Sequence, residues 1–297
     1  MTRTTRHLCR QSQRRYTITG QVIRLDKCGQ HALFIISMLS IMPFHITEIE
    51  PEKSIVVSKF EMSCDQCDKS IPKPLPQVLN FFMVIVGRPG SGKTNLLLNL
   101  TAKHGRAFNK KFDRVFLWSP SLGTINNDPF ETLPDEQKFD DLDEDNLQDV
   151  LDEIADSGDR CLFIWDDIIS NFKNNGPLEK LCHKVLMNRR HLAGPGGSVS
   201  VIMTSQVFNK TPSVLRKVAT HLVLFSTKNK KELLTIFDEL ILIPKDEFYS
   251  VMSHCFQKRY DFMYIDLTKH ETRMFHRCFN LLNFRSLGSE IERNKRV

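Results

Sequence analysis

The sequence predicts an α/β fold: a central, mostly parallel sheet flanked by helices, with further helices and a β-hairpin towards the C-terminus. Three observations carry this. Six apolar residues, 81–86, run straight into Gly87-Arg88-Pro89-Gly90-Ser91-Gly92-Lys93-Thr94, and a helix-forming run, NLLLNLTAKH, follows. From residue 81 onward, short apolar runs alternate with stretches of helical periodicity. One of these runs, CLFIW at 161–165, ends on two adjacent carboxylates, Asp166 and Asp167.

The elements follow in order. Residues 1–41 carry seven Lys/Arg against one acid, Asp26, which resembles a transit peptide; the favoured reading is a disordered basic tail, or an upstream extension with Met42 as the working start. The remaining 256 residues balance at 34 basic and 34 acidic, so the net charge of +6 belongs to the tail and gives no general affinity for nucleic acid. Residues 42–80 hold strand-like pieces (Ile55–Val57) and the proline-bearing linker IPKPLP. They include Cys64 and Cys67, half of a zinc site with no second pair at a telling spacing, so two ordinary thiols are expected.

The core is expected over 81–226. It starts with a strand at 81–86, a helix to about His104 and a strand over Arg114–Trp118. The longest acidic stretch, 127–159, reads as solvated surface and ends in a helix whose apolar face is Leu147, Val150, Leu151 and Ile154. Strands at 161–165, 199–204 and 221–225 alternate with a helix around Leu178–Leu186 and a short helix opened by Pro212. Residues 227–297 add two amphipathic helices and the alternating runs Tyr260–Asp266 and Thr272–Phe279, a hairpin whose Phe and Tyr stripes are expected in the core. Eight scattered cysteines form no disulfide framework and suggest a reducing compartment. No signal peptide or membrane span is expected.

The run from Gly87 to Thr94 fits G-x-x-x-x-G-K-[ST], and each residue type has a chemical reason. Glycines let successive N–H groups curl towards phosphate oxygens, and the helix behind them turns its positive end to the same anion. Lys93 is expected on the β- and γ-phosphates of ATP and Thr94 on Mg²⁺. Asp166, 73 residues after Lys93 and at a strand end, is the expected second partner of Mg²⁺; Asp167 is the expected base for the attacking water. Gln206, after the next strand, is placed to sense the γ-phosphate or position water. The bland alternatives are a chance glycine turn, two helix-capping acids and an ordinary exposed glutamine. The strand order implies a strand lying between those that carry the phosphate loop and Asp166. Nucleotide kinases usually place the two side by side and need an arginine-rich lid, for which no segment stands out.

GRPGSGKTNLLLNL, LFIWDDI, NRRH followed by VSVIMTSQ, and LRKVATHLVLF followed by KKEL together resemble the packaging ATPases of large eukaryotic DNA viruses, the poxvirus type within the FtsK–HerA superfamily. The resemblance covers roughly residues 80–240. It implies a RecA-like P-loop NTPase that forms a homo-oligomeric ring and drives double-stranded DNA into a capsid. Implied partners are capsid or virion membrane proteins, and the implied location is the virus factory in the host cytoplasm, or the virion. It also implies that residues 87–94 bind nucleotide, with Asp166 and Asp167 as the acid pair and Gln206 as sensor. Many relatives carry Asp-Glu where this chain has Asp-Asp. A ring ATPase needs an arginine from a neighbouring subunit; Arg189, Arg190 and Arg216 are candidates and Arg190 is selected, although arginines also suit a helix C-terminus. DNA contact would come from Lys228, Lys230 and Lys231 or from the 103–114 cluster. Another P-loop NTPase not acting on DNA, or a nucleotide-binding virion scaffold with negligible turnover, would share the phosphate loop.

Overall fold

The computed structural model describes residues 65–101, 107–121, 130, 133–173 and 175–283, and the backbone of 16–18 and 21–23. The chain divides into two compact units, residues 1–59 and 60–297. In the first, β1 (Tyr16–Ile18) and β2 (Gln21–Ile23) form an antiparallel pair. The expected strand at Ile55–Val57, Cys64 and the rest of the basic segment lie outside the described residues.

The second unit is built on one nine-stranded sheet. Its strands are β3 (Phe82–Val86), β4 (Arg114–Trp118), β5 (Lys138–Phe139), β6 (Arg160–Trp165), β7 (Ser198–Ser205), β8 (His221–Phe225), β9 (Phe262–Asp266), β10 (Phe275–Arg277) and β11 (Asn280–Leu281), in the order β11-β10-β9-β8-β3-β7-β6-β4-β5. The strands from β8 through β5 are parallel, and β9, β10 and β11 add to the β8 edge antiparallel. As the sequence order implied, β7 lies between β3 and β6. The expected hairpin is β9–β10.

Burial on both faces explains why the parallel strands are apolar throughout rather than alternating. Along β3, Phe82, Val84 and Val86 enter one core, while Met83 and Ile85 enter the other. All five are buried, each contributing about 2 kcal/mol of transfer free energy. The first core is roofed by α2 (Glu144–Ile154), α3 (Pro177–Asn188), α5 (Lys230–Leu240) and α6 (Lys245–Cys255). The second is covered by α1 (Lys93–Thr101) through Leu97 and Leu100, and by Ile71, Leu75 and Leu79 from the segment ahead of β3.

Local chemistry sets the element ends. Asp143 caps α2 in a reciprocal box with Asn146, and Pro177 opens α3 where no N–H is needed. The short α4 (Ser213–Arg216) follows Pro212. The acidic stretch is not wholly solvated: β5 pairs Phe139 with Trp118, and Leu142 is buried. Tyr260 departs from the expected core stripe and is 56% exposed, because it lies in the turn before β9 rather than in the strand. Among the described residues, no helix is long and apolar enough to cross a membrane.

Candidate active site

Parallel strands deliver their C-terminal ends to one edge of the sheet, the position where open α/β sheets bind ligands. At this edge β3 leads into the phosphate loop, β4 into Ser119, β6 into Asp166-Asp167 and β7 into Gln206.

The loop is stitched to the sheet by the Gly87 N–H, which donates to Ser205 O at 3.0 Å. A Cβ on Gly87 would stand 2.5 Å from Ser91 Oγ and 2.9 Å from Phe225 Cβ, so only glycine fits. Gly90 and Gly92 hold φ of +72° and +105°, the left-handed region that favours glycine. Ser91 Oγ is buried without a hydrogen-bond partner, and Arg88, Pro89 and Gly90 are exposed. This polar cradle on a helix N-terminus fits a phosphate chain. The ammonium of Lys93 folds back on the loop, donating to Gly87 O at 2.7 Å, with Arg88 O at 3.4 Å. Burial lowers its pKa, and the carboxylates of Asp167 and Asp166 oppose the shift. Thr94 is exposed in the first turn of α1.

Asp166 is buried and held by two hydroxyls: Thr204 Oγ1 donates to Oδ1 at 2.6 Å and Ser119 Oγ to Oδ2 at 2.9 Å. Thr204 Oγ1 also accepts the Asp167 N–H at 3.0 Å, so one hydroxyl fixes both acids. Asp167 sits in the left-handed region, φ 53°, an uncommon conformation for a residue other than glycine that recurs at functional sites. Gln206 Nε2 donates to its Oδ2 at 2.6 Å. Sequence reasoning missed Ser119 and gave Thr204 no role; the signal was a hydroxyl residue at the end of each strand neighbouring β6.

Lys93, Asp166, Asp167 and Gln206 therefore share one site. Among the described residues, no three His, Cys, Asp or Glu side chains cluster to hold a metal by themselves. The donor set still fits Mg²⁺, which takes one or two carboxylates and completes its shell with phosphates and water. Cys67 is exposed, with its thiol 3.5 Å from Gln77 Oε1.

Arg190 does not reach this site within its own chain. It forks onto Asp65, Nε at 3.1 Å and Nη2 on the other oxygen. Its neighbour Arg189 bonds Asn80 O just before β3 and, through its carbonyl, Val199 N at the start of β7, which puts the pair at the opposite end of the sheet. Arg216 is buried in a fork on Glu239. A concavity of about 1210 Å³ also lies at that far end, around Phe81, His221 and Asp266, and is separate from the phosphate loop.

The genome-packaging NTPase B204 of Sulfolobus turreted icosahedral virus 2, solved in complex with AMP, is similar at 16% identity, covering 69% of this chain and 99% of that one with a TM-score of 0.48. The DNA-packaging ATPase B204 of Sulfolobus turreted icosahedral virus gives 17%, 69%, 98% and 0.49. The pCW3 conjugation coupling protein TcpA with ATPγS gives 12%, 80%, 75% and 0.44. No curated protein matches the chain. The family model described as Poxvirus A32 protein matches residues 77–265, from the segment ahead of the phosphate loop to β9, and the chain belongs to that family.

Proposed function

We propose that this chain is an ATP-hydrolysing genome-packaging motor that drives double-stranded DNA into a capsid in the host cytoplasm. The observation that carries the reading is the convergence of Lys93, Asp166, Asp167 and Gln206 at one end of a sheet in which β7 separates β3 from β6. In this reading Lys93 leaves the carbonyls of Gly87 and Arg88 for the β- and γ-phosphates, and the N–H groups of residues 87–94 cradle the chain. Thr94 and Asp166 would hold Mg²⁺, which would supply positive charge against the phosphates during transfer. Asp167, aimed by Gln206 and by the Thr204 hydroxyl, takes the proton of the attacking water.

DNA contact is assigned to Lys228, Lys230 and Lys231. They are exposed and follow the C-terminal end of β8, on the catalytic edge. The alternative cluster is less suited because Lys111 and Arg114 pair with Asp68 and Glu153. A ring would complete the site with a neighbour's arginine. Arg190 can serve only a neighbour, and only after leaving Asp65.

The test is Mg²⁺-dependent ATP hydrolysis by the full chain, with and without long double-stranded DNA, across protein concentration. Specific activity rising with both, and lost in Lys93→Ala, is expected. Turnover indifferent to DNA and concentration would leave an NTPase of another kind, and binding without turnover a nucleotide-binding scaffold.

A further inference from the structure

The turn 257–261 joins α6 to β9. Because β9 runs antiparallel to β8, this turn reaches the same edge of the sheet as the phosphate loop. The strand order β9-β8-β3-β7-β6 puts it on one side of the loop and the acid pair on the other. A triphosphate whose γ end meets Asp166 and Asp167 therefore directs its nucleoside towards residue 260.

That turn is firmly built. The Asp261 carboxylate accepts from Gln257 N at 3.2 Å, Lys258 N at 2.9 Å and Arg277 Nη2 at 2.8 Å. It holds Tyr260 against the loop: a Cβ on Gly92 would meet Tyr260 Cδ1 at 3.6 Å. Tyr260 is nevertheless 56% exposed, and the Arg259 guanidinium lies over its ring, 5.1 Å from the centroid. An aromatic ring and a guanidinium plane are the two side-chain surfaces on which nucleobases stack.

We infer that Tyr260, with Arg259 beside it, is the platform for the nucleotide base. The inference rests on the reading of residues 87–94 as the phosphate site. Stacking uses the face of a base rather than its edge, so the platform accepts either purine and favours purines over the smaller pyrimidines.

The experiment is equilibrium binding of Mg²⁺-ATP, Mg²⁺-CTP and Mg²⁺-tripolyphosphate, which has no base, to the full chain and to Tyr260→Ala, Tyr260→Phe and Lys93→Ala. Tyr260→Ala is expected to weaken ATP about 10-fold, to leave tripolyphosphate within about 2-fold, and to narrow the preference for ATP over CTP; Tyr260→Phe should match the unsubstituted chain. Tyr260→Leu keeps an apolar contact with Gly92 without an aromatic face and should behave as Tyr260→Ala, which covers poor folding of the smaller variant. Equal weakening of ATP and tripolyphosphate would make Tyr260 a support for the loop, and unchanged ATP binding would put the base elsewhere; either overturns the platform. Binding of both ligands that survives Lys93→Ala, or no binding at all, would instead remove the phosphate-site reading and the platform with it.

Discussion

A single hydroxyl ties the two acids of the site together. Thr204 Oγ1 spends its proton on Asp166 and its lone pair on the Asp167 N–H, so it fixes a buried carboxylate and a left-handed backbone at once. Thr204→Val keeps the shape and removes both bonds. Supporting shells of this kind typically carry about 10- to 100-fold in activity or metal affinity. The expected outcome is a kcat lower by about 10-fold or more, with ATP affinity little changed, read from steady-state kinetics beside direct ATP binding. A kcat equal to that of the unsubstituted chain would show that Asp166 and Asp167 hold their places without it. The residues on the phosphate loop and the acid pair were legible because their types and spacing are demanded by phosphate chemistry. Thr204 and Ser119 were not, since a hydroxyl at a strand end is ordinary until strand order shows which carboxylate it faces.

At the scale of elements, legibility followed apolar continuity. The strands at 114–118 and 221–225 emerged with their expected bounds because buried parallel strands are unbroken apolar runs. The two-residue β5 and β11 carry no period to read, and β5 hides in an acidic stretch. The same scale decides what Arg216 does. From α4 it donates Nε to Glu239 Oε2 at 2.9 Å, Nη2 to Oε1 at 2.5 Å and Nη1 to Thr211 O at 2.8 Å, and it stacks over Phe208. It therefore staples α4 to α5. Arg216→Ala leaves the Glu239 charge half-buried and is expected to cost about 3 kcal/mol in urea unfolding, with turnover per folded molecule retained. Intact stability with lost turnover would make Arg216 the arginine of the ring rather than a staple.

For the molecule as a whole, the two ends of the sheet have different jobs, and the end away from the phosphate loop sets how folding depends on pH. There His221 and Asp266 face each other across the seam where the parallel strands meet the antiparallel edge, Nε2 to Oδ1 at 3.6 Å. Thr220 Oγ1 lies 2.8 Å from His221 Nδ1, and Tyr264 stacks on the ring. Burial pushes the His221 pKa well below the ordinary value; Asp266 pulls it back up, and Lys269 and Arg189 add to the lowering. The unfolded chain takes up this proton near pH 6.5, but the folded chain only at lower pH. Between those points the unfolded state binds more protons, so stability present above about pH 6.5 is lost as pH falls, by at most about 1.4 kcal/mol per unit. The carboxylates of Asp65, Asp68 and Asp113, held low by hydrogen bonds from Arg190, Ser70 and Arg160, lose their contributions only further into acid. His276, also lowered by burial, shares the histidine window, so the comparison must isolate His221. Urea unfolding of the full chain at pH 7.5, 6.5 and 5.5 should show stability falling more steeply in the unsubstituted protein than in His221→Gln, which cannot titrate. Parallel slopes would mean that His221 is protonated as readily in the fold as outside it, and that the seam tolerates the charge.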